Sequence, residues 1–233
     1  MSNKGILEFS SRTFFNHLLP LQCPLCEQGS VDGELCSLCQ SWLTPLRDPC
    51  PGCGEPDTLH ALCGRCQKRA PPWHQARLGW PFSWASRYLI HRMKYQGDLA
   101  CARSLASLWW QQQYPQVELD ALIPVPMHAS RLRKRGFNQA EWLARYWAKQ
   151  SGLRVWTEAY KPQPTDALEG LNRSDRRKVL RGAFALRERP PKRVAIVDDV
   201  LTTGATCSEL AKLLKRNGAR YIEVWTLART PLG

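Results

Sequence analysis

The sequence predicts an α/β protein in which a parallel sheet, flanked by helices, follows a small cysteine-rich module. Three observations support this fold class. Eight cysteines form four C-x-x-C pairs before residue 70. Apolar runs begin at residues 121 and 194, and a segment with helical spacing of apolar residues follows each of them. Strands that alternate with helices in this way are typical of a parallel sheet.

The N-terminal segment, residues 1–19, is predicted to form a short amphipathic helix. Glu8 and Arg12 interrupt the apolar residues that a signal peptide would need. Four apolar residues are expected to pack on the next module: Phe9, Phe14, Leu18 and Leu19. The chain has no run long and apolar enough for a transmembrane helix, so we expect no membrane span and a cytoplasmic location.

The cysteine-rich segment, residues 20–70, repeats itself. "CPLCEQGSVDGELCSLC" and "CPGCGEPDTLHALCGRC" are two copies of C-x2-C-x9-C-x2-C at an offset of 27 residues. Two C-x-x-C turns can form a tetrahedral thiolate cage for Zn²⁺, and a disulfide framework would require an oxidising compartment. We therefore predict a double zinc ribbon with two structural zinc ions, with one site per repeat favoured over interleaved pairing. The predicted ligands are Cys23, Cys26, Cys36, Cys39, Cys50, Cys53, Cys63 and Cys66.

The segment after a proline linker at residues 71 and 72 predicts two helical pieces that break at Gly97. Lys94 lies at this break, where its side chain could contact an anion or extend along a surface. The next strand, predicted at 121–125, precedes a crowded basic stretch and a helix that begins at Asn138. A strand, a basic loop and a helix start are typical of an anion site at the edge of a parallel sheet.

The stretch "VAIVDDVLTTGAT" ends a buried strand in two adjacent carboxylates, Asp198 and Asp199. The small and hydroxyl-bearing residues that follow offer backbone N–H groups and hydroxyls to a phosphate. A helix cap needs one aspartate and leaves the second unexplained. Two carboxylates suit vicinal hydroxyls or a magnesium ion, so the stretch predicts a site for a phosphorylated sugar.

The charge is unevenly distributed between the cysteine-rich module and the rest of the chain. Residues 71–233, the predicted α/β domain, hold 27 Lys and Arg against 13 Asp and Glu, a net charge of +14. Residues 20–70 hold 4 against 6, a net charge of −2. The basic half is also the half with the two anion-site patterns. This charge fits an anionic small molecule and also fits nucleic acid.

The stretch "IVDDVLTTGAT" resembles the phosphoribosyl pyrophosphate (PRPP) motif of type I phosphoribosyltransferases. The whole chain resembles the ComF family of competence proteins, through the cysteine knuckles, "KYQG", "PVPMHASRLRKRGFNQA" and "GLNRSDRR" followed by "GAF". The resemblance implies a type I phosphoribosyltransferase-like sheet that binds PRPP with Mg²⁺. It also implies a role in natural transformation, with single-stranded DNA and the DNA-uptake machinery as partners.

The resemblance also assigns expected roles to single residues. Asp198 and Asp199 are expected to hold the ribose hydroxyls. The residues expected around the 5′-phosphate are Thr202, Thr203, Gly204, Ala205 and Thr206. Those expected near the diphosphate are Arg131, Arg135, Asn138 and Gln139, with Lys94 as a further candidate. Arg173 and Arg176 are expected to act in a mobile loop, residues 161–177, that closes over the site.

Two positions depart from the family pattern in that loop. Leu168 stands where the family usually has Gln, and Val179 stands where it favours Asn. Three functions stay open at this point: a phosphoribosyltransferase, a non-catalytic PRPP sensor, and a single-stranded-DNA-handling module. The first would be a glycosyltransferase that transfers a pentosyl group to an unknown acceptor. The missing amide affects turnover more than binding, so slow turnover is expected.

Overall fold

A computed structural model describes residues 21–113, 115, 118–164, 180 and 182–231. The predicted N-terminal helix and the greater part of the predicted mobile loop, including Leu168, Arg173, Arg176 and Val179, lie outside the described residues. Within the described ranges, every helix is too short or too polar to span a lipid bilayer.

Five parallel strands form the central sheet, in the order β1-β7-β6-β2-β3. They are β1 (Gln75–Pro81), β2 (Ala121–Pro124), β3 (Arg154–Val155), β6 (Arg193–Leu201) and β7 (Tyr221–Arg229). Two short strands, β4 (Ala159–Tyr160) and β5 (Ala185–Leu186), pair antiparallel outside this sheet. The predicted fold class, a parallel sheet flanked by helices after a cysteine-rich module, is confirmed.

Strand β6 lies at the centre of the sheet and is longer than the predicted run at 194–197. Its pairing with β7 continues past the apolar residues, from Asp198 opposite Thr226 to Leu201 opposite Arg229. The two aspartates therefore belong to the strand. The backbone of residues 198–201 pairs with β7, and this pairing extends the strand beyond the end of the apolar run.

Seven α-helices are described, together with one π turn at Arg92–Gln96. The helices are α1 (Ser37–Ser41), α2 (Gly64–Lys68), α3 (Trp84–His91), α4 (Leu99–Gln113), α5 (Ala129–Arg135), α6 (Gln139–Ser151) and α7 (Ala205–Arg216). The predicted break at Gly97 is confirmed, because Gly97 ends the π turn in the left-handed region at φ 66°. The predicted basic loop is instead helix α5, since its Arg, Lys and Leu residues favour a helix between a cap at His128 and a stop at Gly136.

The two faces of the sheet bury two apolar cores. On one face, α3, α4 and α6 pack against alternate residues of β6 and β7, and the Trp109 ring lies 4.1 Å from the Trp147 ring and 5.4 Å from the Trp225 ring. On the other face, α7 places Leu210 and Leu214 in a core with further residues of β6 and β7. Burial on both faces explains the absence of polar alternation in the β6 sequence.

Both cysteine repeats pack directly on the sheet domain. In the first repeat, Leu35 and Leu43 join the core that contains α3 and α4. In the second repeat, the Pro51 carbonyl accepts a hydrogen bond from the Ala76 N–H of β1 at 3.2 Å. The proline segment between repeat and sheet leads straight into β1, with Trp73 buried. The cysteine module is therefore held against the sheet at several points.

Candidate functional site

The two aspartates at the end of β6 lie beside a lysine from the π turn. Lys94 Nζ is 2.9 Å from Asp199 Oδ2, and the Asp199 side chain is buried. The Asp199 backbone N–H donates to Asp198 Oδ1 at 2.9 Å. Helix α7 begins at Ala205, with Gly204 at its N-cap position, so neither aspartate caps that helix. The capping alternative does not explain either carboxylate.

Burial and mutual repulsion set the protonation of this pair. Burial and, second, the neighbouring Asp199 together raise the pKa of Asp198 to about 7, with Lys94 opposing both effects. For Lys94 itself, burial works against the charged form, but attraction to Asp199 outweighs it and raises the lysine pKa. The site thus concentrates negative charge in a place where a cation or hydroxyl donors would relieve it.

The loop after β6 turns sharply into α7. Gly204 adopts the left-handed region at φ 73°, and a Cβ at this position would lie 3.1 Å from the Trp73 ring. Thr203 Oγ1 accepts a hydrogen bond from the Ala205 N–H at 3.3 Å. We call residues 202–206 the ligand loop. Its small residues bring backbone N–H groups to the start of α7, as the sequence predicts for a phosphate-binding loop.

A cavity of about 150 Å³ opens at the carboxyl edge of the sheet, between β2 and β6. Strand β2 pairs in register with β6, which places the basic helix α5 and the start of α6 beside Asp198. Predicted site residues that line this cavity are Arg131, Arg135, Asn138, Gln139, Asp198 and Thr206. Residues from two separate sequence segments, 131–139 and 198–206, therefore meet in one place.

Some of these side chains already have protein partners. Arg135 Nη1 donates to Gln139 Oε1 at 3.1 Å, and the guanidinium lies over the Tyr95 ring at 5.0 Å from its centroid. Asn138 donates to the Val125 carbonyl and accepts from the Ala140 N–H, both at 3.1 Å. Asn138 therefore fixes the start of α6, and Arg135 is held in a defined orientation at the cavity wall.

Lys161, the first residue of the loop expected to close over the site, also lines the cavity. Burial lowers its pKa to about 8, with repulsion from Arg131 as a second cause. The ammonium lies 6.0 Å from the centroid of the Phe184 ring. The sequence pattern assigned Lys161 no role of its own within that loop, since the short strand β4 before it is outside the main sheet and carries no strong apolar pattern.

The structure separates the predicted phosphate residues between two concave surfaces. Thr206 faces the cavity, whereas Thr202, Thr203, Gly204 and Ala205 line a groove of about 760 Å³ between the second cysteine repeat and α7. We call this the ribbon groove. Its basic side chains come from both walls: Arg65, Arg69, Lys212, Arg216 and Arg229. Lys212 pairs with Glu209 at 2.5 Å.

The eight knuckle cysteines form two clusters, one in each repeat. Within each cluster the four Sγ atoms lie within 4.8 Å of one another, and no disulfide joins any of them. The backbone N–H of Cys36 points to Cys23 Sγ at 3.5 Å, and that of Cys63 points to Cys50 Sγ at 3.3 Å. Four converging thiols are the donor set of a structural zinc site. The clusters confirm the predicted pairing within each repeat.

We expect protein purified without added metal to contain two zinc ions per chain, because both clusters offer complete sulfur cages. Metal analysis together with a thiol count checks this expectation. Cys101 and Cys207 are buried outside the clusters and serve as internal controls for the thiol count. Fewer than one zinc per chain, or disulfides among the eight cysteines, would contradict it.

Comparisons with known proteins match the cysteine-rich segment to a family model and the greater part of the chain to several relatives. The family model of the double zinc ribbon domain matches residues 14–67. The chain is 36% identical to Competence protein F of Haemophilus influenzae, over 84% of this chain and 90% of the relative. It is 33% identical to DNA utilization protein YhgH of Escherichia coli strain K12, over 91% of this chain and 98% of the relative. It is 27% identical to Competence protein ComFC of Streptococcus pneumoniae, over 85% and 89%.

A solved structure, a purine phosphoribosyltransferase from Pyrococcus horikoshii, is 16% identical to the chain. It superposes with a TM-score of 0.30 and covers 66% of this chain and 88% of its own.

Proposed function

The chain belongs to the ComF family of competence proteins, and from this premise we propose that it binds PRPP with Mg²⁺ at the carboxyl end of β6, in a role linked to DNA uptake and use. The single observation that supports this proposal best is the arrangement around Asp198. Two adjacent carboxylates, a basic cavity and a loop of small residues lie at one edge of a parallel sheet, where such sheets bind ligands.

Each part of the arrangement matches a part of the ligand. Asp198 and Asp199 accept hydrogen bonds from the ribose hydroxyls. The ligand loop, which reaches the cavity at Thr206, donates to the 5′-phosphate. Arg131, Arg135 and Lys161 attract the diphosphate into the cavity. Lys94 is expected to act by holding Asp199, since its ammonium is already 2.9 Å from that carboxylate.

The donor chemistry also suits a magnesium ion. Mg²⁺ prefers oxygen ligands and is commonly held by one or two carboxylates together with ligand phosphates. Asp198 and Asp199 are the residues that would hold it, and bound Mg²⁺ would neutralise charge on both the carboxylates and the diphosphate. The raised pKa of Asp198, caused first by burial, indicates that this carboxyl gains from a nearby positive charge.

The reaction that this site would support is displacement of diphosphate from C1 of the ribose by a nucleophile. Arg131, Arg135 and Lys161 would neutralise the negative charge that develops on the departing diphosphate. PRPP sensing needs the same contacts without an acceptor. The two cases therefore share one binding site and differ in turnover.

Calorimetric titration with PRPP, with and without Mg²⁺, tests the binding proposal. We expect saturable, magnesium-dependent binding with one ligand per chain. A diphosphate-release assay with candidate acceptors then separates a transferase from a sensor. Absence of any binding to the zinc-loaded full chain would contradict the proposed function.

Lys161 gives the site a specific pH dependence. Because its pKa lies near 8, Lys161 is charged at pH 7 and largely neutral at pH 9. The affinity for PRPP is therefore expected to fall about fivefold over this range. Lys161→Arg keeps the positive charge and should remove most of the pH dependence. An unchanged pH profile in that variant would show that Lys161 does not contact the anion.

A second candidate function is single-stranded DNA binding, which the ribbon groove favours. Its two walls present Arg65, Arg69 and Arg216 together with the Lys212–Glu209 pair, while Arg229 is buried behind them. An electrostatic groove of this kind can hold a phosphate backbone. Binding of a short labelled oligonucleotide should then weaken steeply with added salt, and Arg69→Ala with Arg216→Ala should reduce the salt slope. DNA affinity that these two substitutions leave unchanged would exclude the groove.

A further inference from the structure

The side chain of Arg229 joins the second zinc cluster to the ligand loop. Arg229 ends β7 and is 1% exposed. Its Nε donates to the Cys53 carbonyl at 2.6 Å, and its Nη1 donates to the carbonyls of Leu201 at 3.1 Å and Thr202 at 2.6 Å. Nη1 also donates to the Thr230 carbonyl. Nη2 bonds to Glu55 Oε2 at 3.1 Å. One buried guanidinium thus bonds to a zinc-ligand backbone and to the first residue of the ligand loop.

Trp73 makes a second link between the same two elements. Its Nε1 donates at 2.6 Å to the carbonyl of Gly52, which lies inside the Cys50–Cys53 knuckle. Its ring lies against Gly204, where an added Cβ would come within 3.1 Å. The knuckle therefore positions the indole, and the indole covers the glycine at which the ligand loop turns into α7.

The first zinc cluster makes different contacts. The Pro24 carbonyl, inside the Cys23–Cys26 knuckle, accepts from Arg92 Nη1 at 3.0 Å, and Arg92 belongs to the π turn. Cys23 and Cys39 pack in the core that contains α3 and α4. In the described part of the chain, these contacts lie on the Lys94 side of the site. The two clusters thus form a matched pair with different neighbours.

We infer that Arg229 and Trp73 couple the second zinc site to the ligand loop, so that metal in the second cluster and anion in the loop stabilise each other. Arg229 acts as a positioning residue: a guanidinium shared by four carbonyls fixes their relative positions as one rigid group. Loss of metal makes the knuckle backbone more mobile, and the backbone at Thr202 and Gly204 then becomes more mobile with it. Coupling between two sites is reciprocal, so ligand should strengthen metal binding as much as metal strengthens ligand binding. The ligand side of this inference rests on the proposed function.

Amide hydrogen exchange tests the metal side without any ligand. Cys36→Ser and Cys63→Ser are matched variants, since both cysteines are half-buried and occupy equivalent places in the two repeats. Zinc analysis of each should show one remaining ion. We expect faster exchange of the amides of residues 202–206 in Cys63→Ser and unchanged exchange there in Cys36→Ser. Equal exchange in both variants would overturn the inference.

Cobalt substitution then tests the coupling itself in the full chain. Co²⁺ in the Cys36→Ser protein reports on the second cluster through its thiolate absorption, and a chelator competition gives its affinity. PRPP with Mg²⁺ should raise that affinity by at least about fivefold, and should leave the first cluster, measured in Cys63→Ser, unchanged. Arg229→Lys should bind metal and PRPP separately but lose the coupling.

A milder variant and a matched control distinguish loss of coupling from misfolding of the protein. Trp73→Phe removes the bond to Gly52 and keeps a ring beside Gly204, so it should reduce the coupling partially. Arg77→Met is the control. It removes a guanidinium of β1 that is bound to the buried Glu223 of β7 at 2.9 Å, and it should preserve the coupling. If wild-type protein does not bind PRPP, the proposed function fails and the exchange result alone decides the inference. PRPP binding without any change in Co²⁺ affinity would overturn it.

Discussion

Replacing Lys94 with Met is expected to lower the free energy of unfolding by about 3 kcal/mol at pH 8. Lys94 is paired with the buried Asp199 at 2.9 Å. Removing one partner leaves an uncompensated charge in the protein interior, next to Asp198. The raised pKa of Lys94 means that its stabilising contribution is fully present below the ordinary lysine pKa and disappears only as the pH rises through the raised value. The contribution is therefore complete at pH 8.

The same substitution should cost less at pH 5.5. Asp198, whose pKa burial raises to about 7, carries a proton at this pH, so the variant keeps fewer unpaired charges. Denaturant unfolding at both pH values measures the difference. Lys212→Met is the control, because the Lys212–Glu209 pair is more exposed and should contribute less than about 1 kcal/mol. An equal cost of Lys94→Met at both pH values would contradict this account of the site.

The parts of the architecture that a local pattern specifies were predictable from sequence. The zinc clusters follow from the offset of 27 residues, because each repeat closes its own cage from nearby residues. The strand at residue 194 and the helix after the ligand loop follow from apolar spacing alone. The break at Gly97 was predictable because glycine adopts the left-handed region at no steric cost.

Features that depend on distant neighbours were not predictable. The role of Lys94 stayed open in the sequence because its partner, Asp199, lies 105 residues away and reaches it only through a π turn. Lys161 and Arg131 line the same cavity and repel each other although 30 residues separate them in sequence. The separation of the ligand loop between a cavity and the ribbon groove requires the second repeat to dock beside α7. Each case needs a tertiary contact that no spacing rule encodes.

Arg229 is a further case of this kind. A basic residue at the end of an apolar strand is usually solvent-exposed, yet Arg229 is 1% exposed and donates to carbonyls of two segments, the second knuckle and residues 201–202. Cys53 and Thr202 lie in turns outside the strands and helices, and the Leu201 carbonyl also accepts from the Thr230 N–H at 3.1 Å. The guanidinium supplies further donors to these carbonyls. The sequence gives no indication of it until the knuckle and the sheet are placed together.

Replacing both Asp198 and Asp199 with Asn is expected to reduce magnesium-dependent PRPP affinity at least tenfold, which corresponds to about 1.4 kcal/mol. The amides keep the shape of the side chains and remove the charges that would hold Mg²⁺ and accept from the ribose hydroxyls. Calorimetric titration measures the change. Glu118→Gln, an exposed site outside the cavity, should leave the affinity unchanged. Unchanged affinity in the double variant would mean that the acid pair serves the fold alone.

The single variant Asp198→Asn should bind PRPP more weakly and yet be more stable than the parent at pH 8. The folded pKa of Asp198 lies near 7, above its ordinary value of 3.8, so the folded state holds the proton more tightly than the unfolded chain. Parent stability therefore falls as the pH rises from about 4 to 7, whereas Asn cannot ionise. Three pKa units correspond to roughly 4 kcal/mol, and partial exposure of the carboxyl reduces the expected gain to about 2 kcal/mol. Unfolding curves should show the gain in the free energy of unfolding at pH 8 and its loss at pH 4. A variant less stable than the parent at pH 8 would show that Asp198 stabilises the fold and is not held there for a ligand.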